Sequence, residues 1–208
     1  MKEGLITLIV LLGIHGMYAQ SSSMATEEKR RNARKILSET PHRVKMTVEM
    51  RETADSKWEL YSSQTKEVAG RDRWHLTQHT GLKLELIGIG DRTYQKMPDG
   101  SWQLRSNEGG YTGPTVRSVS KPVVESNVVA EKTDGGKVVE TRSESKLQVI
   151  RTGEVVNMDH TTREGFDQEG RLISVETEHF NFERKKFQRV TELYEYDPNI
   201  RIEAPIPS

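Results

Sequence analysis

Cysteine is absent from the 208-residue chain, which excludes disulfides, thiolate metal sites, a cysteine nucleophile and the acylated cysteine that tethers a bacterial lipoprotein. Net charge is absent as well: 31 basic residues balance 31 acidic ones. No overall field therefore draws the chain to nucleic acid, and none is expected as a partner. Apolar residues are scarce at 33% and aromatics at 6%, thin for a two-sided core but sufficient for a curved sheet with one wet face, which uses an apolar residue only at alternate positions. There is no Gly-x-Ser-x-Gly elbow, no phosphate-cradling glycine loop after a strand and no His-Glu-x-x-His helix, so the chain carries no catalytic motif and is expected to be neither an enzyme nor a cofactor binder. No apolar run reaches the roughly 20 residues of a bilayer-spanning helix, the longest, Leu5 to Met17, being about thirteen.

What is present at the start has a purpose of its own. Lys2, that short apolar run, Tyr18-Ala19 and then the polar Gln20-Ser21-Ser22-Ser23 read as a secretory signal peptide over residues 1–19. The expected location is periplasmic or secreted, soluble and not lipid-anchored. Glu3 dilutes the basic start and Met17 is large for its place before the cut, while Met24-Ala25-Thr26-Glu27 would open a cytosolic chain if translation began there. About 190 residues follow the expected cut, enough for one domain, laid out as a linker and helix over residues 20–41 and an antiparallel β domain over 42–208.

Thr26 to Thr40 reads as a short helix stopped by Pro41, with acidic residues in its first turn and Ala33, Ile36 and Leu37 on one stripe. From His42 the period becomes 2. Val44, Met46, Val48 and Met50 alternate with Arg43, Lys45, Thr47, Glu49 and Arg51, the pattern of a half-buried strand. The alternation returns at Trp58 and Leu60, at Trp74 and Leu76, at Leu82, Leu84 and Leu86, and at Trp102 and Leu104. Turn signals at Gly88 to Asp91, Pro98-Asp99-Gly100, Asp134-Gly135-Gly136 and Asp167 to Gly170 mark hairpins. They delimit strands at Arg92 to Met97, Asn127 to Lys132, Lys137 to Arg142, Leu147 to Arg151, Val155 to Arg163, Arg171 to Phe182 and Phe187 to Tyr196. Ten to twelve short strands with one helix predict a mainly β fold, interrupted by a long Gly- and Pro-rich loop at 106–122.

The segment Ile89 to Trp102, the hairpin Asp167 to Glu176 and the ending Tyr194 to Pro205, preceded by a helix that leads into a bent antiparallel sheet, resemble the LolA-like periplasmic proteins, a group of outer-membrane lipoprotein carriers and related mycobacterial lipid-binding lipoproteins. The resemblance implies a half-open barrel whose concave apolar face, lidded by helix, accepts acyl chains in the bacterial cell envelope. It implies a hydrophobic small molecule or an acylated lipoprotein as partner. No short motif carries the family's ligand contacts to particular residues here.

Candidate cavity-lining residues are Val44, Met46, Val48, Met50, Trp58, Leu60, Trp74, Leu76, Leu84, Leu86, Tyr94 and Trp102. The aromatics offer large contact area and the methionines an adaptable surface. The same positions would equally fill an ordinary core, which leaves open an envelope scaffold with a filled interior and no ligand. His75 and His79 share a strand face, and Asp159, His160 and His179 could approach them, yet the alternation places His75 and His79 on the wet side, so exposed histidines and no metal are expected. Lys29, Arg30, Arg31, Arg34 and Lys35 form the densest basic cluster, read as a solvated helix face that could also touch anionic headgroups transiently. The tail from Asp197 is expected to run extended, with Ile200 and Ile202 packed on one face. The residues leave the oligomeric state open.

Overall fold

The computed structural model describes residues 24–81, 83–105, 116–118, 123–131, 136–149, 155–181 and 184–205, with the backbone alone described at 24–27, 116–118, 123–131, 145, 147–149 and 156–158. The expected signal peptide and most of the expected 106–122 loop lie outside the described residues. The element order is α1 (Met24–Glu39), β1 (His42–Arg51), β2 (Glu59–Val68), β3 (Arg73–Gln78), β4 (Glu85–Ile89), β5 (Arg92–Lys96), β6 (Trp102–Leu104), β7 (Val116–Ser118), β8 (Val123–Glu131), β9 (Lys137–Val149), β10 (Val155–Phe166), β11 (Leu172–Asn181) and β12 (Lys186–Tyr196).

All strands are antiparallel to their neighbours and form one sheet in the order β6-β5-β4-β3-β2-β1-β12-β11-β10-β9-β7, with β8 beside β9. Two meanders thus spread from a central seam, β1 against β12, in which His42 faces Tyr196 and Arg51 faces Phe187. Among the described residues β6 borders one side and β7 and β8 the other, without pairing across. The fold is a curved, half-open antiparallel sheet with a short N-terminal helix. Several local expectations shift. The two strands expected over Lys137 to Arg142 and Leu147 to Arg151 are the single strand β9, and Val116–Ser118, inside the expected loop, pairs with Val149 to Leu147.

The registers sort side chains onto two faces. On the outer face, opposite charges sit on neighbouring strands in two rows. One runs Lys96, Glu85, Glu67, Arg43, Glu195 and Lys45, with the His75 ring between Glu85 and Glu67, Arg43 to Glu67 at 2.7 Å and Lys96 to Glu85 at 2.9 Å. The other runs Glu49, Arg189, Glu178, Glu176, Arg163, Glu140 and Arg142, with Arg163 to Glu140 at 2.8 Å. Cross-strand pairs of opposite sign favour this pairing register and keep a broad face wet. That accounts for much of the chain's charge and for its thin apolar content.

The inner face carries the helix. Ala33 and Leu37 of α1 pack with Val139, Phe166, Leu172, Val175 and Tyr194, so the helical stripe meets β9 to β12. Arg30 lies on the same stripe, one turn earlier, and turns inward. It is 8% exposed and donates from Nε to Glu164 at 2.6 Å and from Nη2 to Thr141. Arg30 therefore leaves the solvated basic face assigned to it by charge pattern, while Lys29, Arg31, Arg34 and Lys35 stay exposed.

Candidate functional site

The inner face is the candidate site, and β1 lies at its centre. Val44, Val48 and Met50 are buried there, and Val48 (1% exposed), Met50 and Val190 form a cluster against which Met46 packs. Burying each such side chain contributes about 1.5–3 kcal/mol. Towards β3 and β4 the face continues through Leu76 opposite Leu86 and Trp74 opposite Gly88. At Gly88 a Cβ atom would stand 2.2 Å from the Trp74 indole, so only glycine lets the ring lie flat across β4.

The twelve cavity candidates divide between the faces. Val44, Met46, Val48, Met50, Trp74, Leu76 and Leu86 share the inner face, and Leu84, just before β4, has the same parity. Trp58, Leu60, Tyr94 and Trp102 lie on the outer face, a correction to the sequence reading. For Trp58 and Leu60 the cause is a β-bulge: β1 pairs Val48 with Ser62 but Glu49 with Leu60, so Tyr61 is an extra residue and everything before it changes face. Trp58 consequently stacks on Arg51 at 4.2 Å and Arg189 at 4.3 Å. Tyr94 stands opposite Ile87 and Leu104, and Trp102 opposite Lys96, whose ammonium is 5.7 Å from its ring. Because β4 has apolar residues on both faces, alternation there does not identify the inner one.

The inner face also holds polar groups whose burial no local pattern announces. Glu192 is 5% exposed and accepts a hydrogen bond from the Tyr194 hydroxyl. Burial first, and then the Glu192 carboxylate, push the Tyr194 hydroxyl far above its ordinary pKa, so it donates and does not serve as a base. Across β1, burial holds the Lys66 ammonium below its ordinary pKa although Glu192 opposes the shift, and its Nζ lies 5.4 Å from the Trp74 ring centroid. His42 is lowered by burial, its Nδ1 sits 2.8 Å from the Thr40 carbonyl, and its ring leans on Tyr194 and Tyr196.

Further along, His160 pairs across strands with His179, and His179 with Gln188. Burial lowers both histidines; His179 falls to about 4, with His160 adding to the effect. These are neutral rings at neutral pH. His75 and His79 sit on the other face, His75 between Glu67 and Glu85 and His79 within 2.7 Å of the Thr65 hydroxyl. The sheet separates the two histidine pairs, and among the described residues no three metal-ligating side chains converge.

A groove of about 580 Å³ opens at the rim, where the β1–β2 turn meets the β11–β12 turn. Its lining joins Met50 of the inner cluster to Arg51, Leu60 and Tyr61 across the bulge. Ile200 and Ile202 of the tail are buried, and Arg73 donates to the Ile202 carbonyl at 3.1 Å.

No family model matches the sequence, and no curated protein does. Solved structures show a likeness, three of them as follows. A LolA superfamily protein from Nitrosomonas europaea is 10% identical, with 86% of this chain and 94% of that chain covered and a TM-score of 0.37. A DUF1329 family protein from Desulfovibrio piger is 8% identical over 85% and 94%, with a TM-score of 0.36. A domain described as an outer membrane lipoprotein-sorting protein, from Vibrio parahaemolyticus, is 8% identical over 84% and 93%, with a TM-score of 0.31.

Proposed function

We propose that the protein is an exported, non-enzymatic binding or carrier protein that takes a hydrophobic ligand, a lipid or the acyl chains of a lipoprotein, against the inner face of its sheet in the bacterial envelope. The observation that carries this reading is a mismatch of widths. A helix is about 10 Å across and strands lie about 4.8 Å apart, so α1 can cover only part of a sheet this wide, and its contacts fall on four strands, β9 to β12. Apolar inner-face residues extend well beyond it, through Met46 and Met50 to Trp74, Leu76 and Leu86. Methionines suit flexible chains, and removal of alkyl surface from water supplies about 25 cal/mol per Å² before ordering costs.

The test is extraction of the protein from its native envelope under mild conditions, followed by lipid mass spectrometry and thermal unfolding with and without added lipid. Co-purified lipid and a raised melting temperature are expected; a ligand at a hundred times its Kd adds about 2.7 kcal/mol. Absence of both co-purified lipid and stabilisation overturns the reading. The competing account, a scaffold with a filled core, is favoured by the low exposure of Val48 (1%) and Leu86 (3%). It expects a crosslinked protein partner and no lipid.

A further inference from the structure

On the outer face Arg43, Arg163 and Arg189 are tied to carboxylates, whereas Arg51 is held by aromatic rings. Its guanidinium lies 4.2 Å from the Trp58 ring centroid and 5.4 Å from that of Phe187. Among the described residues no carboxylate pairs with it, and its Nε is the one buried side-chain nitrogen or oxygen without a hydrogen-bond partner. Aromatic stacking holds a guanidinium plane in place without neutralising its charge, which leaves the fork oriented for an anion.

Arg51 lines the rim groove. With it stand Lys57, also without a carboxylate partner among the described residues, Arg184, stacked on Tyr61 at 4.5 Å, and Lys186, paired with Glu52 at 3.3 Å. Four cations face two carboxylates, Glu52 and Glu59, in the lining. Beside them lie Leu60, 57% exposed, and Tyr61, 39% exposed, while Met50 connects the groove to the inner cluster with Val48 and Val190. Excess positive charge next to exposed apolar surface is complementary to a molecule with an anionic end and an alkyl end.

We infer that this groove binds the phosphate headgroup of an anionic acyl-chain lipid, with Arg51 and Lys57 as its charge contacts and Leu60, Tyr61 and Met50 seating the start of the chain. The headgroup site stands on the groove alone; only the further path of the chain rests on the hydrophobic-ligand reading above. The phosphate accepts from the guanidinium fork, a charge-assisted arrangement stronger than a neutral hydrogen bond, and the interaction weakens as salt rises.

The test is calorimetric titration of the full chain with three probes: dihexanoyl phosphatidylglycerol, dihexanoyl phosphatidylcholine and inorganic phosphate. Phosphatidylglycerol is expected to bind at least about tenfold more tightly than either other probe. Removing one basic contact, by Arg51→Gln or Lys57→Gln, is expected to weaken it about fivefold and to leave phosphatidylcholine unchanged. Lys57, exposed and unstacked, keeps the test valid if Arg51→Gln does not fold. Equal affinity for the two lipids, insensitive to Lys57→Gln, overturns the headgroup site while leaving the hydrophobic-ligand reading intact. Inorganic phosphate binding as tightly as phosphatidylglycerol overturns the lipid assignment in favour of free phosphate, and no phosphatidylglycerol binding overturns the site outright. A headgroup preference sensitive to Lys57→Gln, in a protein that extracts without lipid, supports the site and counts against the envelope-carrier reading.

Discussion

The two faces of the sheet use charge in opposite ways. On the outer face, charges are numerous, half-exposed and paired along rows that cross the strands. On the inner face they are few, and each is bound into a dry environment: Arg30 with Glu164, and Lys66 near Glu192. Solvent screening makes each outer pair individually weak. Burial makes each inner charge expensive to leave alone, even where the pair itself adds little over a well-packed apolar substitute. The outer face gains solubility and register from many small terms, whereas the inner face depends on a few arrangements being complete.

The comparison breaks most sharply at Glu164. Glu164→Leu leaves the Arg30 guanidinium buried without its carboxylate, and a loss of about 3–5 kcal/mol is expected from urea unfolding. The double variant Arg30→Met, Glu164→Leu should recover most of it. A single variant within 1 kcal/mol of the parent would mean that the inner pair behaves like an outer one.

Next in size is the response to acid. His179 stays neutral in the fold down to about 4, while the unfolded chain takes up that proton near 6.5. Between those values the unfolded state binds more protons, so stability is full above pH 6.5 and falls as the pH drops towards 4, by roughly 3 kcal/mol for this site. His42 and His160 are lowered as well and add with the same sign. His179→Gln should flatten the plot of urea midpoint against pH; an unchanged slope would remove His179 as its source.

Gly88→Ala tests packing instead of charge. The new methyl meets the Trp74 ring, and a cost of about 1–3 kcal/mol is expected, relieved when Trp74→Leu is added. Equal destabilisation in both backgrounds would show that the ring does not lie where the methyl would fall. Smallest is Arg43→Gln on the outer face, whose partners are Glu67 and Glu195. A change below about 1 kcal/mol is expected, vanishing in 1 M salt.

Much of the architecture was legible because alternation is a direct imprint of a half-wet sheet. The β1 pattern and the final strand follow from it, the helix from its stripe at helical spacing and Pro41, and the Asp167 to Gly170 hairpin from its turn residues. The faces were less legible, since one extra residue, Tyr61, reverses Trp58 and Leu60 without leaving a mark in composition. Strand β2 was nearly invisible: Ser62, Gln64 and Lys66 point inward with Val68, so its inner side reads as polar. Arg30 and Glu192 were missed for a related reason. A charged residue resembles a surface residue until its partner is known, and Glu164 lies far away in sequence. The groove around Arg51 gathers residues from two separate turns, a convergence that no local spacing announces.

The seam between β1 and β12 bears on how the molecule comes into being. Among the described residues the first and last strands, β1 and β12, are immediate neighbours, so the middle of the sheet cannot be zipped until β12 has left the ribosome. Non-local pairing of this kind slows folding. A nascent chain can assemble its two flanking meanders early, but they join only through β12, and a ribosome-stalled chain ending before Lys186 should carry two separate meanders instead of one sheet.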